Sequence, residues 1–121
     1  YTPHVVIMAL WQNDAHPENY IDKNREKREI WKSKYAEIIT DLRSKYLDAL
    51  FIVITTILGH NKGWDDALDE MVDKLNDEKI VRYKFKRNGC GTPGHIRIPE
   101  AEEMANELTS YIESFGECIW K

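Results

Sequence analysis

Two short stretches of this 121-residue chain hold the residue types best suited to chemistry. The first is Ala9-Leu10-Trp11-Gln12-Asn13-Asp14, where an apolar run ends in an amide and a carboxylate. A strand that stops at Asn-Asp can aim the Asn13 side chain past the sheet, and an amide placed there stabilises charge developing on an oxygen. Asn and Asp also favour turns and helix caps on local hydrogen-bonding grounds, and that reading stands beside the first. The second stretch is Asn88-Gly89-Cys90-Gly91-Thr92-Pro93-Gly94-His95, running on through Ile96-Arg97-Ile98-Pro99. Its three glycines and its proline before the histidine make a rigid, close-approach loop. Imidazole titrates near neutrality, which suits His95 to general-base work. A histidine that merely caps or packs at a helix start is the plainer alternative.

Weaker groupings surround these two. Gly59-His60-Asn61-Lys62-Gly63 is a loop by composition and is followed by Trp64. Trp11 and Trp64 together would make a platform for stacking a sugar, or a hydrophobic plug at a sheet end. Asp14 and His60 are the polar groups placed to accompany them. Cys90, His95, His60 and Asp14 include zinc-ligating types, but their spacing fits no standard zinc pattern, so no metal is expected. No Walker loop or GxGxxG occurs, which removes the commonest phosphate signatures.

The elements that must position these residues alternate strand and helix three times. His4–Leu10 is an apolar run of strand length, of the kind buried on both faces of a parallel sheet. Apolar residues at helical spacing, Ile30, Trp31, Tyr35, Ile38, Ile39, Leu42 and Tyr46, predict a helix from about Lys27 to Tyr46. Ala49–Thr56 is a second buried strand. Leu68, Met71, Val72 and Leu75 then mark a helix over Asp65–Asn76, with acids in the first turn where the dipole favours them.

Lys79–Lys86 is the third strand, with Arg82, Lys84 and Lys86 alternating against Val81, Tyr83 and Phe85. Together with Arg87, its basic residues read as a solvated strand edge. Pro99 opens the last helix, whose stripe includes Met104, Leu108, Tyr111, Ile112 and Phe115, and Gly116 stops it. Such alternation means right-handed βαβ units, a parallel sheet and a single α/β domain over 1–121. Ligands bind such sheets outside the carboxyl ends of the strands, where the loops carrying Asn13, His60 and His95 fall.

A sheet of three strands in the order 1-2-3 leaves His4–Leu10 at an edge although it reads as a central strand. Further strands, from an upstream segment, a second chain or self-association, are therefore expected to complete it. Composition narrows the partners. Hydrophobic residues make up 42% and charged residues 31%, as in an ordinary globular chain, and the formal charge of −4 argues against nucleic acid. No apolar run approaches the roughly 20 residues of a membrane span. Cys90 and Cys118 permit one internal disulfide at most and do not fix a redox compartment.

Taken together, the strand ending in Asn13-Asp14 and the later Gly-Cys…His95…Met104-Ala105…Glu107-Leu108 resemble blocks three and five of the SGNH/GDSL hydrolases. The nearest group is the carbohydrate acetyl esterases of family two. The resemblance covers the whole chain but only the C-terminal half of that family's catalytic domain. It implies a flavodoxin-like three-layer sandwich, represented here by three β-α units. It also implies no metal or organic cofactor, and acetylated sugars or plant-wall polysaccharides as substrates. Asn13 would be the oxyanion-hole amide and His95 the base that activates a serine, with Trp11, Asp14, His60 and Trp64 as substrate-binding candidates.

Three departures bear on activity. The Gly-Asp-Ser block that carries the nucleophile is absent, and Ser33, Ser44, Ser110 and Ser114 all fall on predicted helices. Trp11 stands where the family has glycine, and Thr92 where it often has aspartate. The alternative to an esterase part is thus a non-catalytic carbohydrate-binding or structural module of the same fold. Secretion is expected from the resemblance alone, since Tyr1-Thr2-Pro3-His4 is not a signal peptide.

Overall fold

The computed structural model describes residues 1–89 and 94–120. Three strands, β1 (Val5–Met8), β2 (Leu50–Ile54) and β3 (Ile80–Tyr83), form a parallel sheet in the order β1-β2-β3. Three helices connect and follow them: α1 (Arg25–Lys45), α2 (Lys62–Leu75) and α3 (Ile98–Glu113). Short 3-10 turns span Asn13–Ala15 and Glu117–Trp120. β1 and β3 are shorter than their sequence patterns predict, and the end of β3 coincides with the end of β2. Tyr83 pairs with Ile54, the last residue of β2, whereas β1 ends one pair earlier, with Met8 opposite Val53.

β2 is buried along its whole length, and its alternate residues separate the two faces. Phe51 and Val53 pack with Tyr35 and Ile39 of α1 and with Leu68 and Met71 of α2. Leu50, Ile52 and Ile54 pack instead with Leu108, Tyr111, Ile112 and Phe115 of α3. The result is the expected three-layer α/β arrangement, two helices on one face and one on the other. A single helix cannot cover the second face. Ile7 of β1, opposite Ile52, is left 48% exposed there.

α1 begins where the Asn24 side chain accepts the Lys27 amide at 3.0 Å, an N-cap that satisfies an otherwise orphaned donor. Its buried stripe is narrower than the apolar pattern predicts. Tyr35 and Ile39 are buried, whereas Ile30 and Ile38, eight residues apart on the flank, are exposed. α2 starts at Lys62, earlier than its first acidic turn suggests, and its Gly63 lies close against the Asp22 side chain. A Cβ at Gly63 would stand 1.9 Å from Asp22 Oδ1. Asn76 closes α2 in the left-handed conformation, at φ 49°.

The third strand corrects the sequence reading at Arg82, while Lys84 and Lys86 are exposed as expected. Arg82 is not solvated: its side chain is 9% exposed and faces α2, where it pairs with Asp65 and lies 3.2 Å from Asp69. Lys84 reaches Asp69 as well, and Arg87 pairs with Glu103 of α3 at 2.7 Å. No helix among the described residues is long and apolar enough to cross a membrane.

Candidate functional site

The carboxyl ends of the three strands release three loops, and side chains stitch these loops together. The Gln12 amide donates to Thr56 Oγ1 at 3.2 Å, joining the loop after β1 to the loop after β2. The Gly89 amide donates to the Ile57 carbonyl at 2.8 Å. Asn88 brackets the His60 backbone, accepting its N–H at 3.0 Å and donating to its carbonyl at 2.8 Å. Sequence reasoning missed Gln12, Thr56 and Asn88. Their only signal was a side-chain amide or hydroxyl beside a predicted loop, which is too common to single out.

Asn13 opens the 3-10 turn after β1, and its backbone carbonyl accepts the His16 amide. Its side chain is exposed, and no hydrogen bond holds its amide among the described residues. Asp14 is engaged: its Oδ2 accepts the Trp31 indole N–H at 2.9 Å, which ties this turn to α1. His95 is exposed on the turn between Gly94 (φ 80°) and the start of α3 at Ile98. Glu100, the third residue of α3, folds back to accept the Arg97 amide at 2.9 Å and fixes where that turn meets the helix. Cys90, Gly91, Thr92 and Pro93 lie outside the described residues, and with them the Gly-Cys motif, the Thr92 departure and any Cys90–Cys118 pairing. Cys118 itself is exposed.

Trp11, Trp64 and His60 are brought together, but beneath the surface. Trp64 is completely buried, and Trp11 is 5% exposed. Their ring centroids are 6.0 Å apart, and the His60 ring lies 4.9 Å from that of Trp11. Ile21 and Ala67 complete this cluster, which floors the carboxyl end of the sheet. Both buried indole N–H groups lack a hydrogen-bond partner among the described residues.

The His60 side chain is only 3% exposed. Nδ1 lies 2.7 Å from the Leu58 carbonyl, and Nε2 lies 2.9 Å from Asp65 Oδ2. Both neighbours are acceptors, so the ring satisfies both only as the imidazolium. Burial acts to lower the His60 pKa, but the Asp65 and Leu58 hydrogen bonds and the Asp65 charge outweigh it, and the pKa is raised. Burial likewise acts to raise the Asp65 pKa, and His60, Arg82 and the Thr55 hydroxyl outweigh it and lower the value. The result is a charged His60–Asp65–Arg82 chain running from the loop into the sheet, with Thr55 donating to Asp65 at 3.2 Å.

An open parallel sheet with its loop chemistry gathered at the carboxyl edge is a three-layer α/β fold of the flavodoxin-like kind, in which ligands bind at that edge. Solved structures similar to it include carbohydrate esterases. A family two carbohydrate esterase from Clostridium thermocellum, solved in complex with cellohexaose, matches 98% of this chain with a TM-score of 0.75 and 23% identity. An active site mutant of a family two esterase from the same organism matches 94% of the chain, with a TM-score of 0.74 and 23% identity. The acetyl xylan esterase Est2A from the rumen bacterium Butyrivibrio proteoclasticus matches 98%, with a TM-score of 0.71 and 17% identity. This chain spans only 36–38% of the length of those structures. No family model matches the sequence, and no curated protein matches it.

Proposed function

We propose that this chain is the asparagine- and histidine-bearing part of a carbohydrate esterase that removes acetyl groups from sugars, with its serine supplied from outside residues 1–121. One observation carries the reading. Asn13 and His95 stand exposed on loops leaving the carboxyl ends of β1 and β3, in a fold shared with family two carbohydrate esterases. In this reading the serine hydroxyl gives its proton to His95 as its oxygen attacks the acetyl carbonyl carbon. The Asn13 amide donates to the resulting oxyanion. His95 then protonates the departing sugar oxygen, and water releases acetate by the same route. No resident metal or organic cofactor takes part.

The open edge of β1 supports the same reading. Another strand hydrogen-bonded there would end beside the Asn13 turn, and a helix following it would cover Ile7. Trp11, Asp14, His60 and Trp64 then serve as the floor and the ties of the crevice into which the acetylated sugar fits.

A second reading, a non-catalytic carbohydrate-binding module, is favoured by the serines. Ser33 and Ser44 lie within α1, Ser110 lies within α3, and Ser114 is the C-cap of α3, so none faces the strand ends from a loop.

Acetyl-ester hydrolysis decides between the two. The chain is assayed alone and with a polypeptide supplying the Gly-Asp-Ser strand, and His95→Ala and Asn13→Ala are run alongside. We expect activity in the complemented sample and a loss of about 100-fold or more in each variant. Complementation without turnover, or turnover indifferent to His95, overturns the esterase reading in favour of the binding module.

A further inference from the structure

A cleft of about 490 Å3 lies between the loop after β1 and the outer face of α1. That volume falls within the range of roughly 300–1,000 Å3 usual for small-molecule sites. Its apolar walls are the rings of Tyr20 and Trp31 and the side chain of Ile30, which is 54% exposed although it belongs to the apolar stripe of α1. Around them stand His16, Glu18, Lys27 and Lys34.

The rings are held in place. The Trp31 indole N–H is fixed by Asp14 at 2.9 Å, and its ring packs edge-on against Trp64 at 5.0 Å. Tyr20 packs edge-on against Trp64 at 5.7 Å, and Lys27 Nζ sits 5.9 Å from the Tyr20 ring centroid. Rigid aromatic and aliphatic surface ringed by both donors and acceptors fits a pyranose ring, whose C–H groups rest on apolar walls while its hydroxyls both give and accept hydrogen bonds. The rim is not built for a single anion: Glu18 opposes the lysines, and Lys34 is already paired with Glu37 at 3.0 Å.

We propose that this cleft is a subsite for a neutral pyranose unit of an oligosaccharide whose neighbouring residue occupies the strand-end crevice. The Asp14–Trp31 bond links the two places, because Asp14 directly follows Asn13 in the turn after β1. The inference rests on the carbohydrate reading above, but its test needs neither serine nor turnover.

A larger groove of about 720 Å3 between α1 and α2 is a poorer candidate. It is lined by Met71, Lys74 and Leu75 at the far end of α2, away from the strand ends that carry Asn13 and His95.

Cellohexaose is titrated into the isotopically labelled chain and followed by two-dimensional NMR. The expected result is a saturable shift of the Trp31 indole N–H and of amides in 16–20 and 27–34, with Lys27→Ala plus Glu18→Ala weakening binding by about tenfold. Both substitutions are at exposed positions, so the fold is kept, and an unchanged amide spectrum verifies this. Three outcomes overturn the subsite. They are shifts confined to the Asn13 and His95 loops, no shift at millimolar sugar, and tighter binding of an oligogalacturonate than of cellohexaose. The first would leave the esterase reading intact, and loss of hydrolysis dependence on His95 would sink that reading without touching this one.

Discussion

His60 meets two acceptors and an indole face in a space with almost no solvent, and this makes its charge a structural matter. Its pKa lies above the ordinary 6.5, so its contribution is fully present below 6.5 and is lost as pH rises through the raised folded value. Asp65 lies below its ordinary 3.8, so its contribution is present above 3.8 and is lost as pH falls through the lowered value. The network is therefore strongest between those two limits. Thermal unfolding followed across pH 4 to 9, a span of roughly five units around the ordinary carboxylate and imidazole values, should show a midpoint that declines on the alkaline side. His60→Gln, which cannot titrate, should flatten that decline. An equal alkaline decline in the variant would assign the effect to other groups.

At the scale of elements, packing decides which apolar positions matter. Ile39 of α1 is fully buried against the sheet, while its neighbour Ile38 is 46% exposed. Ile39→Ala should cost about 2–5 kcal/mol through lost burial and the cavity left behind, whereas Ile38→Ala should stay within about 0.5 kcal/mol. Denaturant titration of both variants checks this, and comparable losses would mean that the helix packs differently.

The same contrast explains what could be read beforehand. β2 was legible because Ala49 to Ile54 are all apolar, and only a strand covered on both faces tolerates that. The helix order and the parallel sheet followed from the spacing of such runs, and the three layers from the family resemblance. Arg82 was not legible, since it alternates with Lys84 and Lys86 and looks like them. Its burial depends on Asp65, 17 residues away, which only the packing of α2 over β3 delivers. The floor position of Trp11 and Trp64 was equally hidden, because a tryptophan at a strand end reads the same whether it lines a crevice or plugs it.

For the whole molecule, the decisive feature is asymmetry of cover. Two helices shield one face of the sheet, one helix shields the other, and β1 offers both an open edge and Ile7. An apolar edge of this kind recruits strands from other chains. We therefore expect the isolated chain to self-associate with rising concentration. Ile7→Lys should shift it toward monomer in analytical ultracentrifugation while leaving the far-ultraviolet circular dichroism unchanged. Unchanged association in that variant would place the contact elsewhere.

The strand register also has a kinetic meaning. Val5 pairs with Leu50, 45 residues along the chain, whereas Phe51 pairs with Ile80 after only 29. Closing the longer span costs about 0.4 kcal/mol more in chain entropy, although β1 and β3 alike pair only with β2. The β2-α2-β3 half is therefore expected to assemble first, with the opening strand docking last. A strand that arrives last and leaves first is the one most readily exchanged between molecules, so this fold is poised at β1 for domain swapping as well as for completion.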